Sequence, residues 1–233
     1  DDEKKHYSEK VIKLPNIWNC HSGIQPNEEI KEPPFLKNHY ITFGCFNNSP
    51  KITDEVIETW AKILLKKDNS KILIKAPSKD SEIAQTNILK KFKDFNVEDS
   101  RIIFSEKKKE KRDHYKMYNE VDISLDTFPY PGVTTSIESI WMGVPVLTLK
   151  GNNLVSRCGA SINLNLEMPA FIAENKNEYI KKALSFSEDT NKLIEIRKSL
   201  RQKALNSALF DTKNFGQQFY KMLEGVWSTY LSK

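Results

Sequence analysis

The sequence predicts an α/β fold, a parallel sheet with flanking helices. Three observations predict it. Short apolar stretches, Tyr40–Phe46, Lys71–Lys75 and Arg101–Phe104, have the length and composition of strands. Stretches with apolar residues at helical spacing alternate with them, and this alternation gives βαβ units and therefore parallel pairing. The segment Val121–Pro145 condenses the pattern into strand, tight turn, helix and the start of a further strand.

Residues 1–39 hold no regular period and are broken by Pro15, Pro26, Pro33 and Pro34. They are expected to be a segment crossing from, or the tail of, a preceding half of a longer protein, with the sheet domain spanning 40–233. Tyr40–Phe46 is the first strand, Asn47–Lys51 a loop, and Thr53 the cap of a helix over Asp54–Lys66. Asn69-Ser70 turns into the second strand, Lys71–Lys75. Ile83, Ala84, Ile88 and Leu89 mark a helix over Glu82–Phe92, and Arg101–Phe104 is the third strand. Ser105 opens a lysine-rich run, and Asp113–Tyr118 is expected to be helical. Val121–Leu125 is a buried strand closed by Asp126. Phe128-Pro129-Tyr130-Pro131-Gly132 must turn, because two prolines and a glycine cannot continue a ladder. Thr134 and Thr135 are N-cap candidates, and Glu138, three residues after Thr135, completes a capping-box pattern. Ile137, Ile140, Trp141 and Val144 give that helix one apolar face, Gly143 ends it, and Val144–Leu149 is the next strand. Gly159, Ala160 and Ser161 within Leu154–Leu164 permit close packing. The remainder is helical, over Lys176–Phe186, Asp189–Ala204 and Thr212–Leu231. Leu193, Ile194, Ile196 and Leu200, then Phe215, Phe219, Met222, Leu223, Val226 and Trp227, are expected to be core stripes.

Composition narrows the classes of function. A hydrophobic content of 39% with 10% aromatics supports a packed core. No apolar run approaches the roughly 18 residues of a membrane span, and DDEKKHYSEK is too charged for a secretory signal. Cys20, Cys45 and Cys158 are odd in number and widely spaced, which fits a reducing, cytoplasmic setting better than a disulfide framework. No Cys/His cluster has metal-ligand spacing. The net charge of +5, from 36 basic and 31 acidic residues, is concentrated in Lys107–Arg112. It lacks the dense basic stripe interleaved with aromatics that nucleic-acid binding requires, and it suits a pocket for a small anion.

Ligands of parallel sheets collect at the carboxyl ends of the strands, and the candidate residues lie there. Asn48 and Lys51 follow the first strand, Lys111 and His114 the third, and Thr134, Thr135 and Glu138 the fourth. The start of the helix near Thr134 offers free N–H groups and a dipole favouring negative charge. Thr134 and Thr135 add hydroxyl donors, and Glu138 can accept from a neutral diol such as a ribose. Lys51, just ahead of a helix start, can reach a phosphate. Lys111 and His114 are three apart and share a helical face, so the imidazole can meet a base and the ammonium a phosphate. Each residue has an ordinary alternative: a solvated lysine, a surface histidine, a capped helix that binds nothing. Arg157 is read as an ion-pair residue or a phosphate contact. Three separate loops with compatible chemistry favour a nucleotide diphosphate.

These residues together resemble the C-terminal catalytic half of the O-linked N-acetylglucosamine transferase family, including its SPINDLY-type members. The carriers are FGCFNNSPKI at 43–52, RIIFS at 101–105, DISLDTFPYPGVTTSIESIWMGVPVLTL at 122–149, GNNLVSRCGAS at 151–161 and SALFDT at 207–212. The resemblance implies a GT-B-type glycosyltransferase whose second, Rossmann-like half binds the nucleotide sugar. It implies that Lys51 contacts the diphosphate and stabilises the leaving group. Asn48 would stand near the phosphates, Lys111 and His114 on the uridine side, Thr134 and Thr135 on phosphate, and Glu138 on the ribose. The implied reaction is inverting, metal-independent transfer of N-acetylglucosamine from UDP-GlcNAc to Ser/Thr of a protein acceptor, with no cofactor. GDP-fucose or UDP-glucose as donor, or a non-catalytic nucleotide-binding module, are the alternatives. Expected partners are the nucleotide sugar, the acceptor, the absent N-terminal catalytic half and tetratricopeptide repeats, with no nucleic acid and no membrane. The isolated segment is expected to bind nucleotide and transfer nothing.

Overall fold

The computed structural model of the chain describes residues 7–25, 27–75, 81–105 and 110–232. Lys107–Lys109 of the basic run lie outside the described residues. Six strands form one parallel sheet among them: β1 (Ile41–Cys45), β2 (Ser70–Lys75), β3 (Ile102–Ser105), β4 (Ile123–Leu125), β5 (Val146–Leu149) and β6 (Ile172–Ala173). Their spatial order is β3-β2-β1-β4-β5-β6. Strand β1 lies inside the sheet and every one of its residues is buried. That is why it reads as an apolar run without alternation: helices cover both faces of a parallel sheet.

A short helix α1 (Phe35–Asn38) precedes β1. Helix α2 (Asp54–Lys66) matches its expected bounds. The Thr53 side chain accepts from the N–H of Val56, and Val56, Ile57, Trp60, Ile63 and Leu64 are buried. The crossover connections carry α3 (Ser81–Asp94), α4 (Lys111–Lys116), α5 (Thr134–Trp141) and α6 (Cys158–Asn165). Three helices close the chain: α7 (Lys176–Glu188), α8 (Thr190–Leu205) and α9 (Thr212–Leu231). Helix α7 packs on α2, and α8 packs on α5.

The irregular opening segment is part of this packing. Ile17 and Ile24 are buried, and the N–H of His21 donates to the carbonyl of Leu209. Further along, the N–H of Lys31 donates to Asn119 Oδ1, and the carbonyl of Lys31 accepts from Arg197 Nε at 2.7 Å. The same buried guanidinium donates to the carbonyls of Val121 and Tyr118.

Three expectations need correction, and one strand was missed. Strand β4 begins at Ile123 rather than Val121, because Asp122 turns its carboxylate back onto the N–H groups of Thr42 and Phe35. Helix α5 has Val133 at its N-cap with no side-chain cap, so Thr135 and Glu138 form no capping box. Both side chains are drawn to partners elsewhere in the fold. Strand β6 has only two residues, too few to show a period. The stripe on α9 is not core: Phe219, Leu223, Val226 and Trp227 are between 41% and 61% exposed, and no residue of α9 is buried. Helical spacing marks a helix with one apolar face but does not say what covers that face. Phe215 in the first turn does pack against the core.

Candidate functional site

Strand order reverses between β1 and β4: β2 and β3 lie to one side of β1, and β4, β5 and β6 to the other. Loops leaving two such strands diverge and open a crevice at their carboxyl ends. The loop after β1 and the turn after β4 are tied together across that crevice by a buried polar network. Asp126, the residue after β4, is fully buried. Its Oδ1 accepts from Asn47 Nδ2 at 3.0 Å, from the N–H of Thr127 at 3.0 Å and from the N–H of Gly132 at 2.7 Å. Its Oδ2 accepts from Thr148 Oγ1 at 3.0 Å. Asn47 Nδ2 also donates to Thr127 Oγ1, and Asn47 Oδ1 accepts from Thr135 Oγ1. Gly132 leaves room for this network, and any side chain there would force its neighbours to move. A Cβ on it would lie 2.4 Å from Thr135 Oγ1 and 2.7 Å from Asn47 Oδ1.

Lys51 ends a short 3-10 turn, Ser49–Lys51, on the β1 side. Its ammonium reaches across the crevice, donating to the carbonyl of Pro131 at 2.8 Å and standing 3.8 Å from the centre of the Tyr130 ring. Partial burial lowers its pKa, and the charge of Asp126 works in the opposite direction. Burial dominates the other titratable groups nearby. It pushes the Cys45 thiol up to about 12 and raises Asp126 to about 6 against the lowering effect of its four hydrogen bonds. The turn that holds Pro131 runs directly into α5. The first N–H groups of that helix, at Thr134, Thr135 and Ser136, have no carbonyl a turn behind them to bond, so they present positive ends to the crevice.

One turn into α5, Glu138 faces the helix after β3. Its Oε2 accepts from Tyr118 Oη at 3.0 Å and lies 3.0 Å from His114 Nε2. Burial and the Glu138 charge raise the Tyr118 phenol well above its ordinary value, so it acts as a donor here. Phe46 and Tyr118 pack against the His114 ring with centroids 6.0 and 5.5 Å away. Both bonds to Glu138 fall on Oε2.

The structure therefore sets Lys51 against the turn 128–132, Thr135 at the start of α5 against Asn47, and Glu138 one turn on against His114. Asn48, Thr134 and Lys111 are exposed on the same loops and make no hydrogen bond to the other candidates among the described residues. Arg157 is exposed and donates from Nε to the carbonyl of Gly151, and it makes no ion pair among the described residues. Sequence reasoning missed Asn47 and Asp126. The available signal was slight: an asparagine doublet after β1, and an aspartate ending an apolar strand where it had to be buried. Among the described residues no group of three or more His, Cys, Asp or Glu could hold a metal ion.

The model of a family described as Glycosyl transferase family 41 matches residues 32–219. A rice protein (Oryza sativa subsp. japonica), named as a probable UDP-N-acetylglucosamine–peptide N-acetylglucosaminyltransferase SPINDLY, is 33% identical over 99% of this chain and 25% of its own length. The Caenorhabditis elegans UDP-N-acetylglucosamine–peptide N-acetylglucosaminyltransferase is 29% identical over 84% of the chain and 17% of its own length. The chain spans about a quarter of the length of the curated relatives it matches first. In three dimensions it is similar to an O-GlcNAc transferase of Thermobaculum terrenum, with a TM-score of 0.82 and 25% identity over 99% of this chain and 44% of that one. It also shares a fold with TarM of S. aureus, at a TM-score of 0.63, 15% identity and 95% and 41% coverage. The Rossmann-like sheet with flanking helices implied for one half of a GT-B-type glycosyltransferase is the fold found.

Proposed function

The chain belongs to glycosyl transferase family 41, and on that premise we propose that it is the nucleotide-sugar-binding half of a protein O-glycosyltransferase. The donor is UDP-GlcNAc, the acceptor a Ser/Thr hydroxyl of a protein, and the transfer is inverting and metal-independent. The observation that carries the reading is the approach of Lys51 to the turn feeding α5, 2.8 Å from the Pro131 carbonyl. It sets a fixed ammonium beside a helix start, at the point where strand order reverses. A diphosphate seated there meets the ammonium, the first N–H groups of α5 and the exposed hydroxyl of Thr134. Transfer leaves UDP with developing negative charge, and fixed donors aimed at that charge lower the barrier. Lys51 supplies that stabilisation. Glu138 keeps Oε1 for a ribose diol while His114 and Tyr118 hold Oε2. The His114 ring borders the base, and Asn48 and Lys111 complete the phosphate side. Acceptor binding and hydroxyl activation are assigned to an N-terminal half, with tetratricopeptide repeats selecting the acceptor.

Titration calorimetry of the chain with UDP, UDP-GlcNAc and GDP-fucose tests this. Expected are binding of UDP and UDP-GlcNAc, loss of most of that affinity in Lys51→Ala, and a weaker response to GDP-fucose. A folded chain that binds none of the three at millimolar concentration overturns the reading, and a preference for GDP-fucose overturns the donor assignment. Transfer itself is to be measured on the full gene product, where Lys51→Ala should lower kcat far more than thermal stability.

A further inference from the structure

We propose that Asp126 is a positioning residue for the donor diphosphate: its buried Oδ1 ties the loop after β1 to the turn after β4 and so sets where Lys51 and the start of α5 stand. The inference rests on the donor-site reading above and adds to it a residue that touches no ligand. Oδ1 gathers three donors, one from the β1 loop (Asn47 Nδ2) and two from the backbone of the β4 turn (Thr127 and Gly132). Each side of the crevice also carries part of the anion site. Asn47 stands four residues before Lys51, and Gly132 two residues before α5. A carboxylate can only accept, so it dictates which end of the Asn47 amide faces it. The other end, Oδ1, then takes the hydroxyl of Thr135. One atom thus orients a side chain on α5 through a side chain on the opposite wall. The network is buried, which makes an unmade bond there costly and the geometry stiff. Lys51, Cys45, Cys158 and Tyr179 are the titratable groups that feel the charge of this carboxyl, and the Tyr179 phenol donates to the main-chain carbonyl of Asp126.

The geometry distinguishes shape from charge. In Asp126→Asn the amide oxygen can keep all three donors of Oδ1, while its nitrogen faces Thr148, whose hydroxyl can turn to accept. Asp126→Ala removes the acceptor. Calorimetry with UDP on the chain, alongside thermal unfolding of each variant, should show Asp126→Ala weakening binding by about tenfold or more while Asp126→Asn stays within about threefold of wild type. In a Lys51→Ala background Asp126→Ala should cost less than it does in the wild-type chain, because part of its effect is exerted through Lys51. If Asp126→Ala does not fold, Asn47→Ala carries the same expectation, since it cuts the same tie from the other side. The proposal is overturned if the folded Asp126→Ala or Asn47→Ala variant binds UDP as wild type does. It is also overturned if Asp126→Asn is as weak as Asp126→Ala, or if the costs of the Lys51 and Asp126 changes simply add. Absence of UDP binding by the wild-type chain would instead sink the donor-site reading and take this proposal with it.

Discussion

Burial raises the carboxyls of Asp126 and Asp122 to about 6, from the 3.8 of an exposed aspartate. The sign of the consequence for stability is fixed by linkage. A carboxyl whose pKa is higher in the folded chain binds its proton more tightly there. Its contribution is full below pH 3.8 and is lost as pH rises through about 6. The unfolding midpoint of the chain should therefore fall between about pH 4 and about pH 6.5 on account of these two groups. Asp126→Asn should flatten part of that slope in scanning calorimetry; an unchanged slope would mean that Asp126 does not titrate in this window. At this scale the sequence was partly legible. Lys51, His114 and Glu138 could be picked out because their side chains suit the chemistry and their loops follow strands. Asn47 and Asp126 could not, because they are 79 positions apart and the meaning of each depends on the other.

Elements are where local rules worked best. Helix α2 ends where its pattern ends and is capped as expected, so Thr53→Ala should cost about 1 kcal/mol in denaturant unfolding. Helix α5 ends as its sequence indicates. Gly143 has φ of +75°, the N–H of Val144 reaches back to Ser139, and that of Gly143 to Ile140. A side chain there would be strained and would also bring its Cβ to 2.7 Å from the carbonyl of Arg197. Gly143→Ala is expected to lower stability by about 1–3 kcal/mol, measured by chemical denaturation; a neutral substitution would mean that α8 can move away. The start of α5 was misread for a tertiary reason. Thr135 and Glu138 have the spacing of a local cap, yet Asn47, His114 and Tyr118 offer partners that no window of the sequence contains.

Across the whole molecule, the parallel sheet follows from the alternation of apolar runs, but the role of the last helix does not. Leu200 on α8 and Trp227 on α9 both occupy apolar stripes at helical spacing, yet Leu200 is 1% exposed and Trp227 is 61% exposed. Leu200→Ala should cost about 2–5 kcal/mol, whereas Trp227→Ser should leave the unfolding free energy of the chain within about 0.5 kcal/mol. A large loss in the second variant would place α9 in the cooperative core. The strap ahead of the sheet behaves differently from that helix, because Arg197 and Asn119 grip the peptide groups of Lys31. A protease must draw several residues of extended backbone into its cleft, and at Lys31 that backbone is already held. Trypsin should therefore trim the chain at Lys10 and Lys13 long before it cuts after Lys31, although all three lysines are open to solvent.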